Sequence, residues 1–326
     1  MYYTNKIDSL RDLFDTPDIS VQDNALRVGS KTYPIVQDVI ILSDASPHPY
    51  SLSLGERVGV RGDFAEDIQF TFGEEWKTYH HILPEHQKEF AQYFDIVDLA
   101  SLKPSRVCDL GCGMGRWSYF LKDYCKEIVL VDFSDAIFMA RKNLAQATNA
   151  LFFMGDLKQQ PFRDNFADFL FCLGVLHHLP TPCLEEVRRL KSAAPKLLIF
   201  LYYALDNRPW HFRALLNIVT GARWALSRVR NRAFRKLVSW AGTWFLYMPL
   251  VLLGKGFQLF GAGRFIPLYE FYHDKSVRRI EQDVYDRFFT RIEQRVTRRQ
   301  ILDLQDTFSR VTVSDRPPYW HFICER

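Results

Sequence analysis

Short apolar runs alternate with amphipathic stretches through the middle of the chain. Strand-length runs occur at Glu127–Val131, Leu151–Met154, Phe166–Leu173 and Lys196–Tyr202, and turn residues or an acid follow the first three. Strands that alternate with helical patterns are typical of βαβ units and a parallel sheet. The last run is almost wholly apolar, as expected for a central parallel strand covered on both faces.

The most informative pattern lies at 106–121, where an apolar strand ends in Asp109 and a glycine-rich turn leads into a helical pattern. Gly111, Gly113 and Gly115 let the backbone bend sharply and let a ligand lie against it. A dinucleotide site would need G-x-G-x-x-G, but here the third glycine comes one residue early. The preceding acid suits a ligand with a cationic amino group, a carboxylate and no pyrophosphate, such as the methionine part of S-adenosylmethionine.

Two further acids follow successive predicted strands. Asp132 lies about 20 residues after the glycine turn, where an acid can accept both ribose hydroxyls. Asp156 follows the next strand, where it can accept from an adenine amino group. Ser134 is a candidate N-cap for a helix that runs through Ala140 and Leu144. The three acids therefore predict one ligand crevice at the carboxyl ends of the strands.

Four segments resemble the class I S-adenosylmethionine-dependent methyltransferases. They are VCDLGCGMGRW (107–117), VLVDFSD (129–135), MGDL (154–157) and FADFLFCLGVLHHLP (166–180). The last is similar to the subgroup that methylates small molecules and quinones. The resemblance implies an α/β fold, a Rossmann-like, doubly wound sheet of seven strands that closes with Arg310–Ser314 and Tyr319–Cys324.

The resemblance also implies S-adenosylmethionine as the cofactor and a set of residues around it. The glycines would line the methionine moiety, and the acids would hold the amino group, the ribose and the adenine. The predicted cofactor-binding residues are Asp109, Gly111, Cys112, Gly113, Asp132, Phe133, Asp156, Leu157 and Leu173.

Composition narrows the class of protein. A hydrophobic share of 48% and a charged share of 25% are ordinary for a globular protein, and a net charge of +4 does not by itself indicate nucleic acid. None of the six cysteines forms a C-x-x-C pair, so we expect reduced core residues in a cytoplasmic protein and no metal site. The first 15 residues lack the apolar core of a signal peptide.

Residues 1–45 resemble the small zinc-ribbon-type module of the tRNA-methyltransferase activator family. The similarity lies in Leu10–Pro17 and in the run from Tyr33 to Leu42, but the cysteines of that module are absent and Thr16 stands before Pro17. A structural zinc site needs thiolate or imidazole ligands. We therefore expect a small β module without metal, which packs or encloses a substrate rather than binding RNA.

Residues 46–105 predict a connection that ends in a helix before the glycine turn. Trp76 and Tyr79 can form a lid over the site, and it is equally open that they buttress that helix against the sheet. His80 and His81 have no cysteine or aspartate at ligand spacing, so solvated or capping histidines are favoured over metal ligands.

Residues 205–265 predict a basic and apolar helical insertion after the fifth strand, which follows the methyltransferase core at 106–204. Arg208 to Lys236 holds eight basic residues and no acid, and Leu237–Gly254 carries no charge. Three interpretations stay open: a transmembrane helix, a basic amphipathic stretch on an anionic membrane with Trp240 and Trp244 at the interface, and a helical cap over the acceptor. The cap is favoured, and RNA binding lacks an aromatic platform.

Residues 266–326 predict acceptor-binding helices and the closing strands. Asp283, Tyr285, Asp286 and Arg291 match loosely an acceptor-binding stretch of small-molecule methyltransferases. Thr297 is predicted to cap the helix that follows.

The catalytic candidates follow the fourth and fifth strands. A weak nucleophile such as a hydroxyl needs a base, and His177, His178 and Tyr202 lie beside the expected methyl position. A packing and capping role for the histidines is favoured over a role as base. The sequence predicts methylation of a small-molecule, lipid-like or saccharide acceptor, with possible contact to a membrane through 208–260. The alternatives are an RNA or protein methyltransferase and a non-catalytic cofactor-binding subunit.

Overall fold

The computed structural model describes residues 2–42, 81–229 and 231–326. The strands are β1 (Ile19–Gln22), β2 (Ala25–Val28), β3 (Lys31–Val36), β4 (Val39–Ile41), β5 (Arg106–Leu110), β6 (Glu127–Asp132), β7 (Ala150–Met154), β8 (Phe169–Leu173), β9 (Lys196–Phe200), β10 (Arg310–Val313) and β11 (His321–Glu325). The helices are α1 (Ile7–Phe14), α2 (Pro84–Tyr93), α3 (Arg116–Leu121), α4 (Ala136–Asn143), α5 (Cys183–Arg189), α6 (Trp210–Leu226), α7 (Arg232–Gly242), α8 (Met248–Gln258), α9 (Tyr269–Tyr272), α10 (Val277–Phe289) and α11 (Arg298–Leu302).

The central sheet has the strand order β7-β6-β5-β8-β9-β11-β10, with β11 antiparallel to both of its neighbours. The other pairings within this group are parallel. The order reverses direction beside β5, and ligands of open α/β sheets bind at such a switch point. The predicted doubly wound α/β fold is confirmed, and the glycine turn after β5 lies at the switch point.

The N-terminal strands extend this sheet, so the described sheet has eleven strands and not the predicted seven. Strands β1 to β4 form an antiparallel meander, and β4 then pairs parallel with β7. Leu10 and Leu13 of α1 are fully buried in a hydrophobic core shared with β5 to β9. The Tyr3 hydroxyl donates to the backbone carbonyl of Asp38 at 2.7 Å. The N-terminal strands therefore complete one edge of the central sheet.

Several predicted boundaries differ from the structure by a few residues. The fourth predicted strand begins at Phe169 rather than Phe166, and the fifth ends at Phe200 rather than Tyr202. Asp135 rather than Ser134 precedes α4, although the Ser134 hydroxyl still accepts from the Ala136 N–H. Strand ends are the least predictable part of an element because backbone pairing with neighbours decides them.

The insertion is helical and packs on α10. Helix α7, a π-helical turn at Thr243–Tyr247 and α8 form one continuous helix of 27 residues, Arg232–Gln258. Pro249 lies within this helix, two residues after the π-helical turn. Tyr247 and Val251 bury their side chains against Ile280 and Val284 of α10.

This long helix meets the length and apolarity needed to cross a membrane, and only 28% of its most apolar window is buried. Apolar side chains on a helix that is a core element are normally covered. Most of this apolar surface therefore faces outward.

Candidate functional site

One cavity of about 590 Å³ opens at the carboxyl ends of β5, β6, β8 and β9. The end that contains the predicted cofactor-binding residues, here called the cofactor end, is formed by the loops after β5, β6, β7 and β8. The opposite end, here called the acceptor end, is formed by α6, α10 and the segment between α8 and α10. Because the two ends are continuous, ligands held at each can meet.

The glycine turn shapes the cofactor end. Gly111, Gly113 and Gly115 all have positive φ, at 78°, 53° and 73°, a conformation that glycine adopts without strain. A Cβ on Gly111 would stand 2.6 Å from a methyl group of Val175. The backbone of this turn thus approaches the loop after β8 as closely as atoms allow, and both loops border the cavity.

Asp132 holds the turn and borders the cavity. Its Oδ2 accepts from the Gly113 N–H at 2.8 Å, and its Oδ1 accepts from the Ser134 N–H at 2.8 Å and from the Ser134 hydroxyl at 2.6 Å. Burial raises the pKa of this carboxyl, while the hydrogen bonds oppose the rise. The carboxylate is thereby fixed at the end of β6, with acceptor capacity left for a bound hydroxyl.

Asp109 lies behind the turn rather than in the cavity wall. It is 2% exposed, and its Oδ2 accepts from the Ser118 hydroxyl at 2.6 Å. Burial raises the pKa of Asp109 to about 8, and the neighbouring Asp132 adds to the rise. Direct contact with a ligand is therefore not available to this side chain in the structure, which leaves a role through the turn or through water.

The other predicted cofactor residues surround the cofactor end. They are Gly111, Cys112, Gly113, Asp132, Phe133, Asp156, Leu157 and Leu173. Ser134 and Gly174 also border the cavity, although they are not among the cofactor-binding residues predicted from the sequence. Gly174 has a φ of 82°, and its place directly after a strand was the available signal. The ligand roles of all these residues stay predictions.

The three catalytic candidates lie together but are not equivalent. The His177 ring is fully buried, lies 4.0 Å between centroids from the Tyr202 ring, and does not border the cavity. Burial lowers the pKa of His177 far below its ordinary value, so this ring is neutral. His178 and Tyr202 do border the cavity. His177 is thus a packing residue in this structure, as the favoured interpretation of the histidine pair expects.

His178 has a defined tautomer. Its Nδ1 lies 2.7 Å from the backbone carbonyl oxygen of Ile292, which can only accept, so Nδ1 carries the proton of the neutral ring. The Nε2 atom then has a lone pair. The Tyr202 hydroxyl donates to Asp286 Oδ2 at 2.7 Å and is held in place by it.

The acceptor end combines apolar and charged walls. Leu215, Leu216 and Val219 of α6 and Leu246 of the π-helical turn supply apolar surface from the insertion. The charged side chains in the same end are Arg116, Arg208, Glu270, Arg279, Asp283, Asp286, Arg287 and Arg295. Three of these five guanidinium groups pair with carboxylates of the described residues.

The remaining predicted residues fall in different places. Asp283 and Asp286 border the cavity, whereas Tyr285 is buried in the hydrophobic core between α10 and the insertion. Thr297 caps α11 with a reciprocal hydrogen bond to Gln300, as predicted. His81 is exposed. Trp76, Tyr79 and His80 lie outside the described residues.

Similarity to known proteins agrees with this geometry. Residues 107–192 match the family described as "Methyltransferase domain". Within these residues the chain matches a methyltransferase domain, and such a domain implies S-adenosylmethionine as the cofactor. The match confirms the predicted class of fold, enzyme domain and cofactor. No curated protein matches the chain.

Several solved structures are similar over part of the chain. A protein from Pyrococcus horikoshii OT3 is 26% identical over 39% of this chain and 64% of its own, with a TM-score of 0.34. The YcgJ protein from Bacillus subtilis is 22% identical over 40% and 58%, with a TM-score of 0.34. Magnesium protoporphyrin IX methyltransferase from Synechocystis PCC 6803, with bound S-adenosylhomocysteine, is 16% identical over 80% and 98%, with a TM-score of 0.46. This chain thus spans about three fifths of the length of the first two.

Proposed function

We propose that this protein transfers the methyl group of S-adenosylmethionine to a small-molecule, lipid-like acceptor that binds beneath the helical insertion. One observation carries the proposal: a single cavity joins the glycine turn and Asp132 to the apolar side chains of α6. Ligand sites are concave, mostly apolar and furnished with a few fixed polar groups. An apolar wall favours a lipid-like or quinone-like acceptor over a saccharide.

The residues of the cavity fit the cofactor. Gly111 and Gly113 present backbone without a Cβ, and the fixed Asp132 carboxylate suits a pair of ribose hydroxyls. When bound, S-adenosylmethionine supplies an electrophilic methyl group. The chain's own task is then to align the acceptor and exclude water, for which the reacting atoms must come within about 3–3.5 Å.

His178 is the better base of the histidine pair. It borders the cavity, and its Nε2 lone pair can take a proton from a hydroxyl acceptor, whereas His177 has no access to the cavity. Tyr202, held by Asp286, would orient the acceptor beside it. For a carbon acceptor, His178 would accept the C–H proton that the methyl group replaces. For a nitrogen acceptor that attacks through its lone pair, His178 and Tyr202 would position the acceptor.

We propose that the insertion also places the enzyme on a membrane surface, as a cytoplasmic protein with peripheral attachment. Leu259 and Phe260 are each 86% exposed and Trp210 is 77% exposed. Apolar surface of this extent is rare on a monomer. No acid occurs between Asp206 and Glu270, so the basic residues of the insertion suit anionic lipid headgroups.

We assign the N-terminal strands a packing role in this enzyme. The Leu42 N–H donates to the Met154 carbonyl at 2.8 Å, and a Cβ on Gly155 would lie 3.0 Å from Leu42 Cβ. Leu42 therefore packs directly beside Gly155, which precedes Asp156 at the cofactor end. This contact supports the small-molecule assignment over RNA binding by the N-terminal residues.

The decisive experiment follows a labelled methyl group from S-adenosylmethionine into lipid, saccharide, RNA and protein fractions of a cell extract. We expect label in the lipid-soluble fraction with the wild-type protein and much less with Asp132→Ala. Label confined to RNA or protein would replace the small-molecule assignment. Binding of S-adenosylhomocysteine with no transfer into any fraction would favour the non-catalytic cofactor-binding subunit.

A further inference from the structure

We infer that Arg287 forms an anion-binding subsite inside the acceptor end, and that the acceptor carries a carboxylate or a phosphate. The inference rests on the proposed function, because it describes the molecule that would receive the methyl group. Arg287 lies on α10 and borders the cavity. Its Nε is buried and has no hydrogen-bond partner among the described residues.

Among the described residues, Arg287 has no ion-pair partner, unlike three other arginines of the acceptor end. Arg208 pairs with Glu270, and Arg279 pairs with Glu89 and Asp283. The Arg295 guanidinium pairs with Glu293, which also forms an ion pair with Arg223. Within the described ranges, no carboxylate lies within ion-pair distance of Arg287. A guanidinium that is partly buried and faces a cavity is stabilised by such a partner, and a bound anion would supply it.

The two acids of α10 that border the cavity already have partners, whereas Arg287 has no carboxylate partner among the described residues. Asp286 accepts from the Tyr202 hydroxyl at 2.7 Å and from the Thr290 hydroxyl at 2.8 Å. Asp283 pairs with Arg279 and accepts from the Tyr272 hydroxyl at 3.0 Å. An ammonium group would therefore share carboxylates that already accept other donors, whereas an anion would meet a guanidinium without a carboxylate partner, so the geometry favours an anionic acceptor.

Arg287 lies close to the residues predicted to act in methyl transfer. Its guanidinium carbon lies 5.3 Å from the centroid of the Tyr202 ring, beside the catalytic candidates. Leu246 from the insertion borders the same cavity. The arrangement suits an amphiphilic anion whose head group lies near Tyr202 and whose apolar part lies against the insertion.

The test compares four ten-carbon probes on protein saturated with S-adenosylhomocysteine: decanoate, decyl phosphate, decan-1-ol and decyltrimethylammonium, each below its micelle concentration. The variants are Arg287→Gln, Arg287→Lys and, as a matched control, Arg278→Gln, which changes an exposed arginine on the same helix. Isothermal titration measures each affinity. The preference between decanoate and decyl phosphate tells a carboxylate acceptor from a phosphate one.

We expect the wild-type protein to bind at least one anion 10-fold or more tightly than the alcohol. Arg287→Gln should weaken anion binding about 10- to 100-fold and leave the alcohol and S-adenosylhomocysteine affinities unchanged, because a hydrogen-bonded charge is lost. The anion affinity of Arg287→Lys should lie between those of the wild type and Arg287→Gln, since lysine keeps the charge but not the planar guanidinium. Arg278→Gln should behave as wild type.

Two results would overturn the inference: anions that bind no better than the alcohol in the wild-type protein, or a cationic probe that binds best. Because both results are measured on the wild-type protein, the test remains valid even if a variant fails to fold. If S-adenosylhomocysteine itself does not bind, the proposed function fails, and the same probes on ligand-free protein decide the subsite separately.

Discussion

The two ends of the cavity are built in different ways. The cofactor end is made from the loops that directly follow four neighbouring strands, and its key contacts run between adjacent strands, such as the 2.8 Å bond from Gly113 to Asp132. The acceptor end is made from α6, α10 and the helical insertion, which lie far apart in sequence and meet through a separate hydrophobic core. The geometry of the site is thus local in sequence at the cofactor end and assembled from distant segments at the acceptor end.

This difference teaches where function and specificity are located. The cofactor end needs a backbone turn and fixed carboxylates, and it holds a ligand that is the same for the whole class of enzyme. The acceptor end carries a cluster of arginines and the apolar surface of the insertion, and both properties concern the substrate. Changes at the two ends should therefore separate cofactor binding from acceptor and membrane binding.

The largest expected effect concerns Asp109 and pH. The folded-state pKa of about 8 exceeds the ordinary value of 3.8, so the folded state favours the protonated acid. The contribution of this group to stability is fully present below about pH 4 and is lost as pH rises to about 8. Asp109→Asn should remove that loss, so its free energy of unfolding relative to wild type should rise by about 1.4 kcal/mol per pH unit between pH 5 and 8. Denaturant unfolding at several pH values measures this, and a constant difference would show that Asp109 is not perturbed.

The next largest effect concerns the insertion. Changing Arg232, Lys236 and Lys255 together to Gln should weaken binding to vesicles of anionic phospholipid by about 3 kcal/mol, or roughly 100-fold, because each basic residue near such a surface contributes about 1 kcal/mol. S-adenosylhomocysteine affinity should not change. Salt should reduce wild-type binding through screening.

The matched control for this variant removes the same charge elsewhere, at the exposed Lys31, Lys103 and Lys126. Equal loss in both variants would mean that total charge matters and the insertion does not. If the wild-type protein is instead extracted from cell membranes only by detergent, the insertion spans the bilayer and the peripheral attachment is wrong.

Asp132→Ala tests the cofactor end at the ribose position. Two acceptor atoms are lost, and hydrogen bonds to a charged group contribute about 1.5–3 kcal/mol, so affinity for S-adenosylhomocysteine should fall about 10- to 150-fold. NAD should not bind to either protein. Ser134→Ala serves as the control, because it removes a partner of Asp132 but keeps the carboxylate. A variant at position 132 with wild-type affinity would remove the ribose role.

The smallest effect concerns the glycine turn. Gly111→Ala should lower the free energy of unfolding by about 1–2 kcal/mol from the positive φ alone, and further through the 2.6 Å approach to Val175. Gly29→Ala is the matched control, since its φ is also positive at 56° but nothing lies within 4 Å of the added Cβ. A second change, Val175→Ala, should restore part of the loss at Gly111. Equal losses at the two glycines would show that the close approach does not matter.

The cofactor end was largely predictable because its signals are local. A strand that ends in an acid and enters a glycine turn specifies a backbone conformation, and only glycine adopts the positive φ of Gly111, Gly113 and Gly115 without cost. Apolar runs and their spacing likewise predicted the parallel strands β5 to β9. Asp109 shows the limit, because the pattern identified the residue but not its depth, and the structure places it behind the turn.

What only the tertiary structure decided depends on contacts between distant residues. The pairing of β4 with β7 added four strands to the sheet, and nothing near β4 in sequence specifies that partner. His178 borders the cavity and His177 does not, and this difference follows from their contacts with Ile292 and Tyr202. Arg287 could be distinguished from its neighbouring arginines only once Glu270, Glu293 and Asp283 had taken their partners, since charge pairing is settled in space and sequence spacing does not determine it.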